Sequence, residues 1–164
     1  MLRSKADFRF AGIALAFIAA LVVSGCAGNQ TEPTSTASGG PAAPGSTQDF
    51  VVNVGDRVWF ETDSTELTPT ARATLDKQAQ WLTQYSRYSF TLEGHADERG
   101  TREYNIALGA RRAQAVRDYL AARGVQAGRM KTVSFGKERP VATCDDISCW
   151  SQNRRSVTVL GVTS

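Results

Sequence analysis

Residues 93–113 read EGHADERGTREYNIALGARRA, and the way this stretch divides decides the fold. Just upstream, Tyr88, Phe90 and Leu92 alternate with polar residues, the pattern of a half-buried strand. Glu93 and Gly94 end that strand, and a polar loop carrying Asp97 follows. From about Arg102 the spacing turns helical and runs to Arg123, where Gly124 supplies a stop. On a wheel of 100° per residue, Asn105, Gly109, Val116 and Leu120 fall within roughly 60° of one another. Leu108 and Ala113 flank them, so this is the stripe that faces the core. Arg112 lies inside the stripe, about 20° from Asn105, whereas Arg111 points toward solvent. A guanidinium on an inward face needs an acceptor, because an unpaired buried charge is costly. Asp97 is the nearby candidate. The two could simply pair with each other, or both could face one external group. Arg112 stands about 15 Å along the helix from its start. For both to meet one ligand, the loop must therefore fold back over the helix.

Working outward, residues 50–54 (Phe50-Val51-Val52-Asn53-Val54) and 57–60 read as two strands split by Gly55-Asp56. Thr68-Pro69 starts a helix, a capping hydroxyl followed by proline at the first helical position. Ala71, Leu75, Ala79 and Leu82 carry it to about Tyr85 at helical spacing. Residues 131–135 and 155–160 supply two further strands. The order predicts an α+β fold, a two-layer sandwich with two main helices on one face of a mixed sheet. Residues 49–164 are long enough for one core.

The N-terminal quarter has a different composition. Arg3, Lys5 and Arg9 precede an apolar and small-residue run over 10–23, the layout of an export signal over residues 1–25. The run is short of the roughly 20 apolar residues that a spanning helix needs. Val23-Ser24-Gly25-Cys26 resembles the lipobox of bacterial lipoproteins, in which the cysteine is lipidated and becomes the mature N-terminus. Two or more acyl chains make such an anchor durable. Ala27 follows the cysteine; an Asp there would resemble an inner-membrane retention signal, so its absence points to the outer membrane. Residues 26–48 then form a lipidated cysteine and a linker of Gly, Ser, Thr, Pro and Ala, expected to be disordered. Its 21 residues over 27–47 could reach about 60–70 Å if extended at ~3.1 Å each.

The chain has 19 Lys+Arg and 16 Asp+Glu, but the first 25 residues hold three of the former and one of the latter. The remaining 16 and 15 nearly cancel, which gives no case for nucleic acid. Cys144 and Cys149 fall in an exported segment, where an oxidising compartment favours a disulfide. A metal site would lack further ligands, and no cofactor motif is present. His95 is the only histidine, so a Ser-His-Asp triad would have to use it, in a loop with no serine beside it. Arg99 and Arg102 interleave with Glu93, Asp97 and Glu98 and would hold these carboxylates ionised rather than proton-donating. Non-catalytic binding is the better reading.

Gly94-His95-Ala96-Asp97-Glu98-Arg99-Gly100-Thr101, then Glu103-Tyr104-Asn105, Leu108-Gly109 and Arg111-Arg112-Ala113, closely resembles the peptidoglycan-associated lipoproteins of the OmpA-like family. Lys137-Glu138-Arg139-Pro140 and Gln152-Asn153-Arg154-Arg155 resemble its later motifs, and the likeness spans roughly residues 50–160. It implies an OmpA-like β-α-β-α-β(-β) domain that binds the diaminopimelate of the cell-wall peptide stem. Asp97 would then pair with the ligand ammonium and Arg112 with its carboxylate. Main-chain groups near Thr62 and Asp63 would complete the pocket, with Asn105 and Leu108 in support. Where the family often has an aromatic, this chain has Thr62. The resemblance also implies an outer-membrane lipoprotein of the Tol–Pal system, facing the periplasm and supporting envelope integrity and cell division. Its partners would be a periplasmic propeller protein and other Tol members, with Glu98, Arg99 and Tyr104 as expected contacts.

Overall fold

The computed structural model describes residues 42–162. The export signal, Cys26 and most of the linker lie outside the described residues.

Four strands form one mixed sheet in the order β1-β4-β2-β3, with β1 Arg57–Trp59, β2 Tyr88–His95, β3 Met130–Gly136 and β4 Arg155–Val162. β4 runs antiparallel to both β1 and β2, while β2 and β3 are parallel. A parallel pair needs a long crossover, and here the helix after the Asp97 loop supplies it. The alternation read from the sequence holds: Tyr88, Phe90 and Leu92 are buried on one face. Val58 and Met130 join them in a core closed by two helices.

The first of these helices, Pro69–Gln84, starts where Thr68 Oγ1 accepts from Ala71 N at 3.1 Å, with proline in the first turn. It buries Ala71, Leu75, Ala79, Trp81 and Leu82. The second, Arg102–Ala122, is capped by Thr101, whose side chain accepts from Tyr104 N. Asn105, Leu108, Gly109, Arg112, Ala113, Val116 and Leu120 are its buried residues, which is the stripe the wheel picked out. Gly124 takes φ +90°, a left-handed conformation suited to glycine, just past its end. Two main helices on one face of a mixed sheet is the architecture that the element order implies.

Three segments differ from the sequence reading. Residues 50–54 are not a strand. A short helix, α1 (Thr47–Asp49), passes into a π-helical stretch, Phe50–Gly55. Strand alternation would place Phe50, Val52 and Val54 on one face, but Val52 is 67% exposed while Phe50 is fully buried against Trp81. Phe50 and Val54 also share a face at helical i, i+4 spacing. Two polar anchors favour the helical solution: Asp49 accepts from Trp81 Nε1 at 2.8 Å, and Gln78 donates to Gly55 O at 2.6 Å.

The folded part also starts ahead of residue 49. Gly45 takes φ +75° and its carbonyl accepts from Arg87 and Tyr88, while Ser46 caps α1. These contacts offset the ordering entropy that composition alone would leave uncompensated. Finally, a short helix over Ile147–Asn153 precedes β4. With Pro69–Gln84 as α2 and Arg102–Ala122 as α3, it is α4. A disulfide joins Cys144 to Cys149 at its start, with Cα atoms 5.6 Å apart.

Candidate functional site

The site lies where β2 leaves the sheet. Gly94 pairs with Ser134 on β3, but His95 pairs with Gly136, so the register shifts by one residue there. Such an irregularity re-aims the chain, and the next residues form the Asp97 loop. Gly94 is needed because α3 lies directly over it: a Cβ there would stand 1.8 Å from Gly109 O. This contact of backbone on backbone brings Arg112 level with the end of β2. Asn105, buried one turn into α3, donates from Nδ2 to Arg99 O at 2.7 Å and holds the loop from behind. From the far side, Lys137 Nζ donates to Glu98 O at 3.0 Å and Gly100 O at 2.7 Å.

The loop folds back as required, and Asp97 and Arg112 line one cavity of about 340 Å³. Thr62, Asp63, Asn105 and Leu108 line it too, with Arg99, Gly100 and Tyr104. Every residue that the resemblance puts in the pocket is therefore gathered in one place. Asp63 has φ +54°, a left-handed conformation that Asp tolerates better than most residues. Asp63 and Tyr104 both line the cavity, and Tyr104 Oη donates to the Asp63 carboxylate.

Asp97 and Arg112 do not pair with each other. Arg112 has no exposed surface, and its partners are main-chain carbonyls. Nε donates to Ser64 O at 2.9 Å, Nη1 to His95 O at 2.9 Å and Nη2 to Glu61 O at 3.0 Å. Three of its five N–H groups are thus committed. The guanidinium lies over Phe60, 5.1 Å from the ring centre. Burial lowers its pKa to about 10, so it stays charged at neutral pH. Its hydrogen bonds all go to carbonyls, while the charges of Asp97 and Asp63 favour its ionised form without direct pairing.

Asp97, 7% exposed, is held by other arginines. Arg99 Nη2 donates to it at 2.7 Å and Nε at 3.2 Å, and Arg154 Nη1 approaches at 3.4 Å. Burial pushes the carboxyl pKa up, but the Arg99 hydrogen bonds and charge, with Arg154 behind, bring it below the ordinary value. Arg99 also lies 4.3 Å over the Trp150 ring, and Trp150 Nε1 donates to Glu98. The three expected partner contacts are thus structured: Glu98 and Arg99 around Trp150, and Tyr104 on Asp63.

Sequence reasoning assigned no role to Arg154 or Trp150. Arg154 is buried, donates from Nε to Phe60 O at 3.0 Å and reaches Asp97. Its one signal was the Gln152-Asn153-Arg154-Arg155 run. Trp150 had none beyond its place next to Cys149. His95 is buried, stacks on Phe135 and has no hydrogen bond to either ring nitrogen. Chemically, the cavity is lined by both carboxylates and guanidiniums, which suits a small ligand carrying both signs.

Comparisons with known proteins agree with this geometry. Residues 59–154 match the OmpA family. A peptidoglycan-associated lipoprotein of Rhizobium meliloti is 61% identical over 91% of this chain and 87% of its own length. One from Agrobacterium fabrum is 62% identical over 90% and 86%. The crystal structure of the peptidoglycan-associated lipoprotein from Burkholderia pseudomallei is 42% identical, covering 65% of this chain and 90% of that one, with a TM-score of 0.63. The C-terminal domain of Helicobacter pylori MotB has the same fold at 21% identity, over 66% of this chain and 86% of that one (TM-score 0.61). The chain belongs to the OmpA family, among its peptidoglycan-associated lipoproteins.

Proposed function

We propose that this protein is an outer-membrane lipoprotein, anchored through Cys26, whose folded domain grips peptidoglycan without covalent chemistry. The ligand is the diaminopimelate of the peptide stem. The observation that carries this is the single cavity lined by both Asp97 and Arg112. A diaminopimelate side chain ends in one ammonium and one carboxylate, which matches that pair of charges.

The ammonium exchanges for Arg99 on Asp97. Arg99 is the partner able to move, since its side chain is 40% exposed, whereas that of Arg154 is 6% exposed and stays. The carboxylate is drawn to the floor, where Arg112 has two N–H groups not committed to the protein. A planar guanidinium favours paired contact with a carboxylate. Because Arg112 has no exposed surface, that contact requires side chains of the lining to shift, and the Tyr104–Asp63 pair is the group we assign to this movement. Main-chain groups at Thr62 and Asp63 complete the pocket. No step of this calls for bond making, and the family is a structural one rather than an enzymatic one.

The wider role follows the names of the relatives. Linking outer membrane to wall, within the Tol–Pal system, would support envelope integrity and division. The propeller partner would use the rim formed by Glu98, Arg99 and Tyr104. The deciding experiment compares tripeptide stems with free and with amidated diaminopimelate by calorimetric titration. Binding of the free form with at least tenfold loss on amidation is expected, since amidation removes the carboxylate. Equal affinity for the two forms would refute the assignment of Arg112.

A further inference from the structure

A second cavity, of about 350 Å³, opens beside edge strand β1. Trp59, Glu61, Thr68, Ser151, Gln152 and Arg154 line it. Two links place it beside the first cavity. Arg154 reaches Asp97 at 3.4 Å, and Glu61 of the second cavity is followed directly by Thr62 of the first.

The lining has a definite chemical character. Trp59 is 50% exposed although it is the largest side chain on its strand, so it offers a flat apolar surface. Ser151 Oγ and Gln152 Nε2 both donate to Ser148 O, at 3.1 and 2.9 Å. Ser151 is left with acceptor capacity, Gln152 with its Oε1 and one N–H, and Glu61 with its carboxylate. Thr68 Oγ1 already accepts from Ala71 N, so its O–H is the group it can offer outward. Several acceptors with a few donors beside an aromatic plane suit a ligand that carries O–H, N–H and carbonyl groups around an apolar face. A bare cation is opposed by Arg154 in the same wall, and a bare anion by Glu61. A sugar ring meets all these conditions.

We propose that this cavity is a saccharide subsite. It takes an N-acetylated amino sugar of the glycan strand while the stem attached to that sugar occupies the Asp97–Arg112 pocket. This rests on the wall-binding reading above, and the spacing is consistent with it. Trp59 and Thr62 are three residues apart, so their Cα atoms are separated by at most roughly 10–11 Å. In the wall polymer two residues stand between the diaminopimelate and the lactyl ether of the sugar, a span of the same order.

The test titrates the full chain in detergent micelles with three probes. These are the L-alanyl-γ-D-glutamyl-diaminopimelate tripeptide, the same tripeptide carrying its disaccharide, and the disaccharide alone. The disaccharide-tripeptide should bind about three- to tenfold tighter than the tripeptide. Trp59→Ala should remove that gain and leave tripeptide affinity unchanged, and Trp59→Phe should keep part of it. Equal affinity of the two stems for the wild type overturns the subsite and leaves the stem pocket standing. A gain that survives in Trp59→Ala also overturns it. If the tripeptide fails to bind while the disaccharide alone perturbs the Trp59 indole resonance, the stem pocket falls and the subsite stands. If none of the three binds, both fall.

Discussion

Asp97 and Arg112 line the same cavity but depend on the protein in opposite ways. Arg112 ties together three main-chain carbonyls, of Glu61, Ser64 and His95, and each would be left buried without a donor if it were removed. Arg112→Ala should therefore lower folding stability by about 3 kcal/mol or more, measurable by urea denaturation, in addition to any loss of binding. Asp97→Asn keeps shape and some hydrogen bonding. It should abolish co-sedimentation with purified peptidoglycan while costing only about 1–2 kcal/mol of stability. A variant that still sediments like wild type would remove Asp97 from the site. The pH dependence has a definite sign. The Asp97 pKa is depressed, so its ionised contribution is complete above the unfolded value and is lost as pH falls through the lower folded one. Binding should thus hold at pH 5 and fail only below the ordinary carboxylate range. The inward position of Arg112 was legible because helical period alone fixes which face a residue takes. Its partners were not, since they are carbonyls 48 and 51 residues away in a loop. Carbonyl direction depends on backbone conformation there, not on side-chain type.

At the scale of elements, legibility followed how many independent signals agreed. α2 had a cap, α3 a stop, and each a periodic face, and both appear where the pattern places them. The Phe50–Gly55 stretch had β-branched residues and a Gly55-Asp56 turn signal that read as a strand, but the contacts of Asp49 and Gln78 decided for a helix. α4 is seven residues long, too short for a helical period to declare itself. Its position is secured by the Cys144–Cys149 bridge and by Asn153, whose Oδ1 accepts from Val141 N at 2.8 Å. Replacing both cysteines by serine should cost about 2 kcal/mol on the chain-entropy model for so short a loop. Faster amide exchange over 147–153 with an unchanged sheet is the expected signature, together with altered Trp150 fluorescence as the indole leaves Arg99. The α3–β2 contact is less forgiving. Gly94→Ala puts a methyl into Gly109 O, and a rigid backbone on both sides cannot yield cheaply. A loss of about 2–3 kcal/mol is expected, with weaker stem binding because α3 carries Arg112. Wild-type stability in this variant would mean that helix and strand are not in contact as described.

For the molecule as a whole, the two faces of the sheet carry different burdens. One is closed by α2 and α3 around the apolar core. His95 stands at the end of β2 with its ring against Phe135, which in turn carries Arg139 at 3.5 Å. Its carbonyl holds Arg112 of α3, so this residue ties the Phe135–Arg139 cluster to the candidate site. Burial, reinforced by the positive charges of Arg155, Arg139 and Arg57, lowers its pKa to about 4. Glu93 Oε2 is the carboxylate beside it, but at 3.5 Å from Nε2 it is too far for a good hydrogen bond and does not restore the charge. The ring is therefore neutral in the folded protein, whereas an unfolded histidine titrates near 6.5. Between those two values the unfolded chain binds the extra proton, so stability falls as pH falls. From pH 7 to pH 5 the loss from this one residue should be on the order of 2 kcal/mol. Urea denaturation at both pH values, on wild type and on His95→Asn, isolates it. The variant should be less stable at pH 7 but should lack that part of the pH slope. Identical slopes would show that His95 titrates in the fold as it does in the unfolded chain, and the burial and arginine charges around it would then have to be weaker than they are here.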